Sequence, residues 1–551
     1  MFVPVFDATA KPPSGILSGN GNQYGDFDEC LGIDGAVRGK YCLASLQVSI
    51  GGEKGQQLDY LVHSGHYLRS NVTDMGHRLP RYSSILWGVC IPSSCSSFDL
   101  EDELSHKLSD LGISVKVHNT LCTVKNFKRP YSFGKTLSIT FFLSIILLLS
   151  LGTLLDNGKE GETNFEKLLN AFSLKRNLRK VFDLSDSPTR VKGVDAFRGI
   201  NAFALLLGHK SMAMAHSPYV NKTSYSEVFG MPWAVIGRSA IIYTDSFLYL
   251  SGFLNAHNLL QDLEKKGTIN FKDRMLASLM LFCTYILPDI NNGPQWNLVV
   301  EEHSRVCEKN MWRSFLFIHN YFGFEDMCLT HTHQIGMDMQ LYVATLPLMF
   351  VLWKFRRTGL ALIVGIAAAS TVLRYLAIYW YDISMFVYYG ISVQKLLDAA
   401  RYSYILPTHR ATIYLIGVSM AYFIKSKKSH IKLSDVSITA FQYTYFSFQF
   451  HSWLVVNLFT EKRIMEILKA FVEARIFKFF NKIAYAVYLT QFPIFFYNVG
   501  IQRHSEYYTP MLLVSKFDNN LTYSRFIGKL VVIFAMYRIY FGKYISYCVH
   551  F

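Results

Sequence analysis

Charge is scarce in this sequence. Only 17% of its 551 residues are Asp, Glu, Lys or Arg, while 51% are hydrophobic, against about 25% charged in ordinary soluble proteins. That balance predicts a mainly α, polytopic helical membrane protein. Chemistry-bearing loops are lacking too: there is no Gly-rich phosphate loop, nucleophile elbow or paired-cysteine zinc site, so no metal and no bound cofactor are expected. Lys and Arg outnumber Asp and Glu by 55 to 40, a formal charge of +15. These cations sit in short clusters between apolar runs, as the positive-inside rule requires, so membrane lipids and not nucleic acid are the expected partners. The opening MFVPVFDATAKPPSG has neither the basic start nor the apolar core of a signal peptide. An incomplete gene model is the expectation there.

The cysteines are unevenly spread. Cys30, Cys42, Cys90, Cys95 and Cys122 precede the first apolar span, and Cys307 and Cys328 flank a polar loop. All seven are disulfide candidates, which predicts an oxidising lumenal or extracellular side. The first five are odd in number, and their pairing stays open. Residues 1–125, broken by Pro12-Pro13-Ser14-Gly15 and Gly51-Gly52, read as a small loop-rich domain on that side. Asn71 heads a glycosylation acceptor in this domain, and Asn221 and Asn520 head two more.

Residues 137–155 are nearly all aliphatic and long enough to cross a bilayer. The linker at 156–193 carries Lys159, Lys167, Lys175, Arg176, Arg179, Lys180, Arg190 and Lys192, which places it in the cytosol. Residues 194–548 hold the remaining candidates, at roughly 194–215, 233–256, 274–288, 340–353, 359–380, 410–424, 436–459, 483–499 and 526–547, for about ten spans in all. Alternation from the linker puts basic loops inside and the Cys307/Cys328 loop outside until Lys432. Past it, alternation would carry Lys478 and Lys482 to the wrong side. Either the polar stretch around Gln442, Gln449 and His451 does not cross, or one span is missing near residue 472.

The second candidate span, VDAFRGINAFALLLGHKSMAMAH, holds Arg198, His209 and Lys210. A charge near mid-membrane costs at least about 2.5–3.5 kcal/mol, so such residues are functional by default. Eleven residues bring Arg198 and His209 to one helix face, roughly 16 Å apart along the axis. His209 can act as a general base on an acceptor hydroxyl attacking a thioester, or merely bond across helices. Arg198 can hold the phosphates of a carrier such as coenzyme A, or pair with Asp195. Ser251 and Gly252 sit where two helices can approach closely. Asp338 and Gln340 can orient a polar acceptor, or simply open a helix. His331 and His333 follow Cys328 closely, but an oxidising side favours a Cys307–Cys328 disulfide over a metal.

Taken together, the motifs resemble the nose-resistant-to-fluoxetine proteins of invertebrates, which join a cysteine-rich N-terminal domain to an acyltransferase-3 membrane domain. YGDFDECLGI, GKYCLAS and WGVCIPSSCSS resemble the first part. VDAFRGINAFALLLGH, FLYLSGFL, DMQLY, ATIYLIGV and IAYAVYLTQFPIFFYNVG are similar to the second. The resemblance implies transfer of an acyl group, with acyl-coenzyme A as co-substrate, to a hydroxyl of a lipid, sugar or other small acceptor. It implies catalytic roles for His209, Arg198 and Asp338, and carrier or substrate binding by Arg274, Ser251, Gly252 and Gln340. One departure is plain: Arg274 is followed by Met275, Leu276 and Ala277 where the family shows a second arginine. Uptake of lipids or drugs through the same cavity is the rival implication, and a truncated, inactive member is the third.

Overall fold

The computed structural model describes residues 3–11, 15–35, 37–48, 53, 65–69, 84–125, 129, 131–159, 161, 163–185, 194–238, 240–265, 274–426 and 474–512. Asn71, Asn520, the expected spans around 436–459 and 526–547, and the side chain of Arg274 lie outside what it describes.

The N-terminal domain is built on one long strand. β2 (Gly39–Val48) pairs antiparallel with β4 (Ser84–Pro92) and, on its other edge, with β5 (Ile113–Lys116) and β6 (Cys122–Val124); β1 (Asn22–Gln23) pairs parallel with β4, and the short β3 (Leu68–Arg69) pairs outside this sheet, parallel to Ile391–Ser392. Successive side chains of a strand point to opposite faces, and here both faces are buried. Tyr41 and Leu43 enter one apolar cluster with Phe27, Cys30 and Cys90. Cys42, Ala44 and Leu46 enter the other, under Leu100 of helix α1 (Ser97–Leu108). That helix starts at a capping box in which Ser96 and Asp99 satisfy each other's backbone N–H groups. Disulfides join Cys30 to Cys90 and Cys42 to Cys122, the latter directly across the β2/β6 ladder. Cys95 keeps a free thiol, so it is the odd cysteine and no longer a disulfide candidate.

Helix α2 (Phe133–Leu154) runs from this domain with its apolar side chains largely outward. It is followed by two short linker helices, α3 (Asn164–Phe172) and α4 (Leu174–Phe182). Asp156 ties the turn together: Arg176, then the Ser173 hydroxyl and the Gly158 N–H, hold its carboxyl well below the usual range. The membrane domain continues with α5 (Val194–Met214), α6 (Ala240–Lys265), α7 (Arg274–Tyr285), α8 (Glu302–Phe315), α9 (His333–Lys354), α10 (Arg356–Tyr381), α11 (Pro407–Ser426) and α12 (Arg475–Gly500). Among the described residues three helices are both long and apolar enough to cross a membrane: Phe133–Leu154, Thr330–Lys354 and Arg356–Tyr381. The expected span at 274–288 is a 12-residue helix ending in a 3-10 turn, shorter than the ~20 residues a bilayer asks for.

Two helix groups with separate cores stand side by side. One joins α6, α9, α10 and α11 through Leu248, Met349, Tyr414 and Val418. The other joins α7, α8 and α12 through Met280, Trp296, Leu489 and Tyr497. Within the first, a Cβ at Gly252 would fall 2.1 Å from the Tyr414 carbonyl oxygen, and one at Gly417 would fall 2.2 Å from that of Tyr249. Backbone approach of that kind admits only glycine. Helix α12 fixes the direction of the chain: Lys482 donates to the Lys180 carbonyl at 2.6 Å, whereas Arg503, beyond its far end, pairs with Asp28 at 2.9 Å. Lys482 therefore sits on the linker's face, not on the disulfide face to which strict alternation assigns it.

Candidate active site

A cavity of about 580 Å³ lies at the seam between the two groups, walled by α5, α6, α9 and α12. Each helix contributes at helical spacing: Arg198, Ala202, Leu205 and Leu206 from α5, and Phe247, Leu250, Ser251, Leu254 and Asn255 from α6. Polarity changes along its length. Lys180, Arg198, Asn481 and Lys482 stand at the linker end, and Asn481 is tied to Asp195 by a side-chain hydrogen bond. Nine residues along α12, or roughly 14 Å at 1.5 Å per residue, Gln491 closes the other end. Gln334 and Asp338 of α9 face this inner part, with Gln334 donating to the Asp338 carboxylate at 3.2 Å and Ser251 bonded to the same carboxyl. Apolar side chains, including Tyr485, Val487 and Tyr488, line the path between.

The structure thus brings Arg198, Ser251 and Asp338 to one cavity. His209 is one turn beyond Leu205, 8% exposed, and outside the lining. Its ring touches the amide of Gln491 and lies 4.6 Å from the ring of Phe492, and its Nδ1 has no hydrogen-bond partner among the described residues. One glutamine side chain therefore separates the imidazole from the hollow. Gly252 is corrected to a packing role, because its missing Cβ is filled by the α11 backbone. Gln340 is corrected as well: its amide donates to the Phe317 carbonyl and anchors the preceding loop. Asn221 is 7% exposed, and both ends of its amide are bound by the Tyr508 backbone, at 3.1 and 2.6 Å. No room for a sugar remains there. Cys307 and Cys328 form a disulfide, while the His331 Nε2–H donates to the Leu489 carbonyl at 3.0 Å.

Sequence reading missed the most buried charge. Arg410 of α11, 1% exposed, donates to Asp245 of α6 at 2.9 Å from Nε and to the Thr244 hydroxyl at 2.9 Å from Nη2, over the ring of Tyr404. Thr244 itself lines the cavity. The signal was present, since Thr244-Asp245-Ser246 interrupts the apolar run IIYTDSFLYL, and an intramembrane carboxylate implies a partner.

A family model described as "Nose resistant-to-fluoxetine protein, N-terminal domain" matches residues 2–104. A second, described as "Acyltransferase domain", matches residues 191–536, more than half of the chain. The chain belongs to the nose-resistant-to-fluoxetine family. Its membrane part is a membrane acyltransferase domain at family level, and its disulfides fit an oxidising lumenal or extracellular side. This family member is 23% identical over 492 residues to nose resistant to fluoxetine protein 6 of Caenorhabditis elegans, a match covering 77% of this chain and 58% of that protein. It is 25% identical over 301 residues to the regulator of hypoxia-inducible factor 1 of the same organism, covering 50% of this chain and 59% of the relative. The chain thus spans under two thirds of the length of the curated relatives it matches. No solved structure matches it significantly.

Proposed function

We propose that the chain is an integral membrane O-acyltransferase that moves an acyl group from a thioester carrier such as acyl-coenzyme A to a hydroxyl of a lipid, sugar or small molecule. The observation that carries this reading is the polarity gradient of the cavity. Three cations, Lys180, Arg198 and Lys482, stand at one end, and Asp338 with Ser251 stands further in. Phosphates of the carrier suit the cationic end, where an Arg guanidinium binds phosphate through paired N–H donors. An extended thioester arm suits the apolar walls between. The acceptor oxygen attacks the thioester carbonyl and its proton passes to the His209 imidazole. The tetrahedral intermediate then collapses, expelling the thiol, which takes that proton. Gln491 must turn aside for this contact, and Asp338 orients the acceptor hydroxyl.

Membranes containing the full chain, given labelled acyl-coenzyme A and a panel of hydroxyl acceptors, test this. His209→Ala is expected to lower kcat by ~10²-fold or more, the usual scale for a general base. Arg198→Ala is expected to raise KM for the carrier with a smaller change in kcat, as loss of uniform binding does. Turnover unchanged in His209→Ala would remove the mechanism. Transport of a small amphiphile is the second reading, favoured by the screening of His209 behind Gln491. Accumulation in vesicles without an acylated product would decide for it.

A further inference from the structure

A second, much smaller hollow of about 30 Å³ lies on the disulfide side of the cavity just described. It is lined by Cys283, His303, Thr330, His331, Phe492 and Pro493 among others. Its surface is almost wholly apolar, so it is a gap in the packing and not a water site. From the small hollow inward the ring of Phe492 comes first, then His209 and the amide of Gln491. Phe492 lies 4.6 Å from the His209 ring on one side and 4.9 Å from the His331 ring on the other, where the two planes stack within 21°. Its chain neighbour Gln491 lines the large cavity, while Phe492 lines the small one.

The backbone beneath this ring is loosened. Pro493 lies inside α12, has no N–H, and so cannot bond the Leu489 carbonyl one turn back. That carbonyl accepts instead from His331 Nε2 at 3.0 Å, and the Tyr488 hydroxyl bonds the His331 carbonyl in return. The turn carrying Phe492 is therefore held from outside its own helix, by His331. A helix interrupted in this way bends at the proline.

We propose that Phe492 is a gate, hinged at Pro493 and latched by His331, that decides whether His209 and the large cavity are reachable from the disulfide face. With the ring between the two imidazoles, the cavity communicates with the linker side alone. When the ring swings out of the sandwich, the small hollow opens onto His209, and with Gln491 turned aside it joins the large cavity, so that a small molecule from the disulfide face reaches both. The inference does not depend on acyl transfer, because access is read without turnover.

The test uses the full chain with Cys95→Ser, Cys283→Ser and Cys548→Ser as background and Leu206→Cys as reporter on the large cavity wall. Vesicles of both orientations receive a membrane-impermeant methanethiosulfonate. From the disulfide face, Phe492→Ala is expected to speed reporter modification at least ~10-fold, and Phe492→Trp to slow it. Pro493→Ala, which restores the helix bond, is expected to slow it in the Phe492 background. Unchanged modification from the linker face verifies that each variant keeps its fold. Equal disulfide-face rates with Phe, Ala and Trp at 492 overturn the gate, whether or not the acyltransferase reading stands.

Discussion

The N-terminal domain and the membrane domain bury opposite things. In the first, Tyr41, Cys42, Leu43 and Ala44 are wholly inside, and ion pairs such as Lys107–Glu103 and Lys11–Asp7 lie in water. In the second, leucines and phenylalanines of α2 and α10 face outward, while Arg410, His209 and Asn201 are inside. The difference teaches that solvent, and not residue type, decides what a core is made of. Where the surroundings are hydrocarbon, apolar contact gains little on moving inward, and polar groups must find one another within the protein. Water-facing domains hold together by apolar burial and, when small, by disulfides.

The sharpest way to break the comparison is at Arg410. Removing one partner of a buried pair leaves an uncompensated charge, at a cost of about 3–5 kcal/mol. Arg410→Ala is expected to abolish monodisperse protein in detergent, because Asp245 loses its guanidinium partner and the Thr244 hydroxyl keeps only the donor on Tyr404. Asp245→Asn combined with Arg410→Met should recover much of the yield. Size-exclusion profiles of both variants decide the matter: a single substitution as well behaved as the parent would show the pair to be dispensable. Next in size is the N-terminal domain's own fastening. Cys42→Ser with Cys122→Ser opens a bridge between residues 80 positions apart, for which about 2–4 kcal/mol is typical. Here proteolysis of the N-terminal domain should quicken while modification of the Leu206→Cys reporter from the linker face stays as it was. Collapse of both would mean that the two regions do not stand independently.

How much of this contrast was legible in the sequence follows from the same physics. The isolated Leu- and Ile-rich run became α2 within four residues at its start, because a stretch of nineteen residues without a charge is what a bilayer crossing asks for. Arg198 was found because an ionisable group in a span is anomalous on its own, and Asp338 only through the DMQLY motif at the start of a span. Their convergence on one cavity could not be read, since α5 and α9 are brought together by α6, which packs against both. Gly252 illustrates the opposite failure. A small residue in a span looks the same whether it makes way for a ligand or for a neighbouring backbone, and only the position of the Tyr414 carbonyl distinguishes the two. Asn221 failed for a related reason: an acceptor triplet says nothing about whether the amide is already bonded, as it is to Tyr508. Lys482 was misplaced by counting spans, and a tertiary hydrogen bond to the linker carbonyl corrects it.

The smallest expected effect tests the boundary between the two regimes. His319 belongs to the segment between Cys307 and Cys328, outside the spans, yet it is 2% exposed. Its Nε2–H donates to the Thr332 carbonyl at 3.3 Å, and its Nδ1 has no partner among the described residues. Burial lowers its pKa to about 4, with the Thr332 and Arg313 carbonyls opposing the shift. The free imidazole titrates near 6.5, so between those values the unfolded chain takes up a proton that the folded one refuses. Stability from this group is therefore full above about pH 6.5 and is lost progressively as the pH falls toward 4. His319→Gln keeps a donor for Thr332 but cannot titrate. The thermal midpoint of the parent should drop more steeply between pH 7 and 5 than that of the variant, by a few degrees at most. Parallel curves would mean that the folded protein admits water or charge to His319, and that this loop obeys the rules of the exposed domain and not those of the buried one.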